Sequence, residues 1–201
     1  MRKHEMDRWA DHCGYYFGQD PQTECMVLHP VNHRAFHIDL LLFPPCPALP
    51  FWKLCTMGAS DYKLPLTFCP RNEFFLFIPE SEDLKDQASA MWYCDVLLTT
   101  ALYPWENHMA LSCGHSIVWG TQPGTNMVSA YLDLPFPIPG SGFFRCKLGP
   151  VKQINCLQVT LLTSRETDHL VRVGPDAFTD FLYPEKGMPH FLSQRFREDW
   201  L

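Results

Sequence analysis

The sequence predicts an α+β fold: a mixed, mainly antiparallel β-sheet with helices packed on it, in a single domain over residues 1–201. Three observations carry that expectation. Apolar residues recur at helical spacing near the start, alternate as in strands from residue 23, and return to helical spacing later. The 18 prolines are scattered, so they read as strand ends and turns and not as a disordered tract. The order is helix, hairpin and strands, long helix, strands, helices, with no internal repeat and no linker long enough to separate two domains.

The first helix is expected over 2–18, RKHEMDRWADHCGYYFG, with Met6, Trp9, Ala10 and Cys13 toward the core and an end near Gly14 or Gly18. TECMVLH (23–29) and AFHIDLLLF (35–43) flank the turn PVNHR and read as a β-hairpin. On its second strand Phe36, Ile38, Leu40 and Leu42 share one face; His37, Asp39, Leu41 and Phe43 share the other. After the stiff connector PPCPALP, FWKLCTM (51–57) is a third strand, broken by Gly58 and followed by a turn through Ala59, Ser60 and Asp61. RNEFFLFI (71–78) is a fourth strand. Its five apolar residues from Phe74 suggest burial on both faces, hence a central position.

Ser81 caps the expected longest helix, with Glu82 and Asp83 in its first turn. Met91, Cys94, Leu98, Ala101, Leu102 and Trp105 form its apolar stripe, and Pro104 places its end near Tyr103. HSIVW (115–119), NMVSAYLDL (126–134), FFRCKL (143–148) and VKQINCLQVTLL (151–162) read as strands punctuated by Pro and Gly. Thr163-Ser164-Arg165-Glu166 is a capping-box pattern that starts a helix; Gly174 and Pro175 end it and open another. The tail HFLSQRFREDWL is expected to form a last short helix.

Composition narrows the function. A net charge of −6 argues against a sequence-independent nucleic-acid binder, which needs clustered Lys and Arg. Met1–Asp11 lacks a signal-like apolar run, and Asp39 and Asp95 break the longest apolar stretches, so no membrane partner is expected. Nine cysteines, an odd count without a CxxC pair, read as free thiols in a reducing cytoplasm.

Several residues invite chemistry. Ser60 could act as a nucleophile, but GxSxG is absent and nothing in the sequence brings a base and an acid to it. His29, His33 and His37 sit four apart, a metal-ligand spacing on a helix; Pro30 argues for a hairpin, in which His29 and His37 could face each other. Surface or paired histidines are the simpler reading, and no metal is assigned. Cys113-Gly114-His115 offers only two ligands, too few for a tetrahedral site. His37 and Asp39, two apart on one strand face, suit a structural ion pair or a polar recognition spot. Trp52, Tyr62, Trp119 and Tyr131 lie near turns or strand ends and are candidates for an exposed patch.

Three blocks, strongest over 24–183, carry a family resemblance: HIDLLLFPPCPALPFWKLCTMGASDYKLP (37–65); NEFFLFIP (72–79) with YPWENHMALSCGHSI (103–117); and NCLQVTLLTSRETDHLVRVG (155–174). In order and spacing they resemble the amino-terminal-type domain of the Suppressor of fused family, departing from it at Thr160, where the family usually has proline. The resemblance implies a non-enzymatic, protein-binding domain without a cofactor. The animal member is an adaptor that grips a short peptide of a transcription factor. Short bacterial relatives lie among polymorphic toxin systems, which implies an immunity protein that neutralises a toxin by occlusion. The candidate binding residues are His37, Asp39, Thr56, Met57, Gly58, Ser60, Asp61 and His115, with none catalytic. The alternatives are a hydrolase or thiol enzyme using Ser60 or Cys113 with His115, or a small-ligand binder.

Overall fold

The computed structural model describes residues 1–29, 37–64, 70–186 and 189–201. The whole expected hairpin turn PVNHR, including His33, and Phe36 and Cys69 lie outside the described residues. The chain begins with α1 (Lys3–Phe17), then β1 (Met26–Leu28), β2 (Asp39–Phe43), β3 (Phe51–Met57) and β4 (Asn72–Pro79). There follow α2 (Gln87–Asn107), β5 (Ser116–Val118), β6 (Met127–Asp133), β7 (Arg145–Lys147), β8 (Gln153–Thr163), α3 (Ser164–Val173) and α4 (Pro175–Leu182). The strands form one sheet in the order β1-β2-β3-β4-β8-β6-β5, with β7 paired to the start of β8. Among the described residues only the β4–β8 pair is parallel. The apolar run of β4 is therefore central, as its composition requires.

Strand alternation sorts side chains onto two faces. Leu40, Leu42, Leu54, Leu76 and Val159 pack under Tyr93, Leu97 and Ala101 of α2. Leu41, Phe43, Cys55, Phe75, Phe77 and Cys156 pack under Trp9, Cys13 and Phe17 of α1. At the far end of that second face, Leu170, Phe178 and Leu182 of α3 and α4 cover Tyr131 and Leu162. Burying each such large apolar side chain contributes roughly 1.5–3 kcal/mol. The sheet is thus a slab sealed on both sides.

Local signals hold where they are strong. Gly18 ends α1 in the left-handed region, and Thr163 with Glu166 closes the capping box of α3. Five expectations change. Asp86, not Ser81, caps α2 by accepting from the Ser89 N–H; the intervening residues form turns anchored by buried Leu84. The helix also continues past Pro104 to Asn107, because Pro104 is itself buried and the last turn closes at His108 in the left-handed region. Its buried stripe runs through Tyr93, Cys94, Leu97, Thr100 and Ala101, which leaves Met91 exposed.

The tail is not a helix but an extended strap. Ser193 donates its N–H to the Phe77 carbonyl, and the Arg195 N–H reaches the Tyr93 hydroxyl. Arg197 grips buried Glu166 with two nitrogens, each 2.6 Å from a carboxylate oxygen. Tyr131, expected near the surface, is buried and bonded to Thr179 and the Pro175 carbonyl. The eight described cysteines are free thiols.

Candidate binding surface

The stretch Thr56–Asp61 closes around one acidic side chain, Glu73 of β4. Thr56 donates its hydroxyl to Glu73 Oε2 at 2.6 Å, and the N–H groups of Gly58 and Ser60 each reach Oε1 at 3.0 Å. The Thr56 oxygen in turn accepts the Phe74 N–H at 2.8 Å, and its carbonyl accepts the Trp9 indole N–H. Glu73, Thr56 and Ser60 are fully buried. Burial drives the Glu73 pKa upward, and the donors pull it down only in part. Gly58 makes the loop possible: its φ is +121°, and a Cβ there would stand 2.4 Å from the His37 carbonyl oxygen. The sequence reading made this segment a strand end and turn carrying candidate binding residues, and it passed over Glu73. A lone acid opening a strand buried on both faces was the available signal, because such a charge requires dedicated donors.

Beside this cage the register of β1 and β2, with Leu28 opposite Leu40, brings His29 to Asp39. Asp39 Oδ1 lies 2.7 Å from His29 Nδ1 and 2.6 Å from His37 Nε2. The Asp39 side chain is 4% exposed, against 68% for His29 and 53% for His37. Asp61 sits at the other flank of the cage. Burial opposes its charge, but Lys152 at 2.7 Å and the Met1 amino group outweigh that and hold its pKa below the usual carboxylate value.

His115 is placed elsewhere, just before β5, and its side chain is exposed. Its neighbour Cys113 donates its thiol to Asp133 Oδ1 at 3.1 Å. Partial burial, then the Asp133 carboxylate, push the Cys113 pKa up to about 12. That is the reverse of an activated thiol, which needs a depressed pKa. Ser60 is bonded at Glu73 and Cys113 at Asp133, and no hydrogen bond joins Ser60, Cys113 and His115 to one another. Of the candidate binding residues, Thr56, Met57, Gly58, Ser60 and the Asp39 carboxylate are buried; His37, Asp61 and His115 reach solvent.

Two open clefts line α2 and share Asp95. One, about 520 Å³, runs between β1 and α2 past Val27, Leu28, His29, Met91, Cys94 and Leu98. The other, about 380 Å³, is walled by Trp92, Val96, Trp119, Pro123 and Thr125 beside the end strand β5. On β5 itself Val118, which alternates with buried Ile117, is 61% exposed. No helix among the described residues is long and apolar enough to cross a membrane.

The family model of the Suppressor of fused protein (SUFU) matches residues 34–195. A SUFU homolog of Neisseria gonorrhoeae FA 1090 superposes with a TM-score of 0.68 at 10% identity, covering 97% of this chain and 96% of that one. The chain in the Sufu–Fu complex gives 0.65 at 15% identity, over 95% and 89%. Drosophila Suppressor of Fused gives 0.66 at 15% identity, over 95% of this chain but 50% of that one. A comparison with curated proteins gives no match. At these identities the structural likenesses establish the fold.

Proposed function

The chain belongs to the Suppressor of fused family, and from that premise we propose that it is a non-enzymatic protein-binding module. A solved relative is a complex of Sufu with Fu, which supports a protein as the partner class. The observation that carries the reading is the β5 edge. An end strand with its outer side unpaired among the described residues lies next to a cleft walled by Trp92 and Trp119. An exposed edge offers a partner segment a row of backbone donors and acceptors, and the two indoles offer anchors of the type that dominate binding energy. His115 precedes this strand, and Asp95 adds negative charge at the cleft.

The biological role we propose is toxin neutralisation in a bacterial cytoplasm, by occlusion. The net charge of −6 speeds encounter with a basic partner. The test has two arms. Tagged protein is used to recover partners from native lysate, and the product of the adjacent open reading frame is expressed with and without this chain. A recovered protein whose binding is lost in Val118→Asp supports the module and its edge. Rescue from a toxic neighbour supports immunity. Recovery of no protein at all counts against the module, and a neighbour that is harmless alone counts against immunity.

A further inference from the structure

We propose that His29, His37 and Asp39 form a binding site for a divalent transition-metal cation of the zinc class. The three donor atoms lie within 4.8 Å of one another, with Asp39 Oδ1 shared by both imidazoles. The two rings stand 6.4 Å apart between centroids, inclined by 30°. A zinc ion needs ligand distances of about 2.0–2.2 Å to nitrogen and oxygen, so small outward moves of two exposed rings open the space. Asp39 is the fixed member. It is buried on β2, paired opposite Met57 of β3. The histidines are the adjustable members, at 68% and 53% exposure.

The donor chemistry selects the metal. Two imidazoles and one carboxylate suit zinc, nickel, copper or ferrous iron; calcium and magnesium prefer all-oxygen shells. Three protein ligands leave a fourth position open to water or to a donor from a partner. Because His29 follows β1 and Asp39 opens β2, a bound cation ties the end strand of the sheet to its neighbour.

The test uses the full chain, reduced and metal-stripped, titrated with Zn²⁺ and separately with Co²⁺. The expected result is one equivalent of Zn²⁺ bound, a raised melting temperature, and a cobalt spectrum without thiolate charge-transfer bands. Outer-shell changes at metal sites already cost about 10–100-fold in affinity, so removing a ligand in His29→Ala or His37→Ala should cost at least that. His4→Ala, an exposed histidine on α1, should leave zinc affinity unchanged. The two ligand variants replace exposed side chains and leave the fold intact. No zinc uptake by the wild type overturns the site. So does equal uptake by the wild type and the His29→Ala/His37→Ala double variant, or a cobalt spectrum dominated by thiolate.

Discussion

Glu73 and Asp39 are buried carboxylates at the same end of the sheet, separated by little more than the contact of Gly58 with the His37 carbonyl. Their partners differ in kind. Glu73 is held by the hydroxyl of Thr56 on β3 and by two backbone N–H groups of the buried turn that follows it. Asp39 is held by two side chains that stand largely in water. A carboxylate bonded to fixed interior donors is part of the frame; one bonded to solvated imidazoles keeps partners that can turn away from it. The difference separates what holds the domain together from what it has available for exchange.

The comparison breaks if Glu73 proves dispensable. Glu73→Ala leaves three donors without acceptors and should cost about 3–5 kcal/mol, read from denaturant midpoints at constant slope. Glu73→Gln keeps one acceptor oxygen and should cost only about 1–2 kcal/mol. Gly58→Ala forces a side chain into the left-handed region against a carbonyl oxygen, for about 1–3 kcal/mol. Asp39→Ala should cost about 1 kcal/mol, because its histidines remain hydrated. Without metal, His29→Ala and His37→Ala should stay within about 0.5 kcal/mol of wild type.

A pH series sharpens the contrast. Burial raises the Glu73 pKa, so the folded chain holds that proton more tightly than the unfolded one. The associated stability is complete below the unfolded value of about 4.3 and is lost as pH rises through the folded value. Wild type should therefore lose stability relative to Glu73→Gln as pH rises. A gap that stays constant, or moves the other way, would show that the cage fully compensates the charge.

Much of the sheet was legible because its signals are local and dense. FWKLCTM forms β3 over the expected residues, and the Thr163–Glu166 box starts α3 by its own hydrogen bonds. The start of α2 was not legible, since the acidic stretch before it offers several caps and the burial of Leu84 selects among them. Pro104 misled for a related reason: packing carries the helix one turn beyond it. At the site, the pairing of His37 with Asp39 follows from strand alternation. The roles of His29 and Glu73 depend on cross-strand register, which a single strand does not reveal.

The parallel pair of β4 and β8 has a kinetic consequence. Asn72 and Asn155 meet across it although 83 residues separate them. Closing so long a loop is slow, and a ribosome delivers β4 well before its mate. Until then the nascent chain carries Phe-Phe-Leu-Phe-Ile with one flank unshielded, an adhesive ribbon that stalled or shortened chains would leave bare.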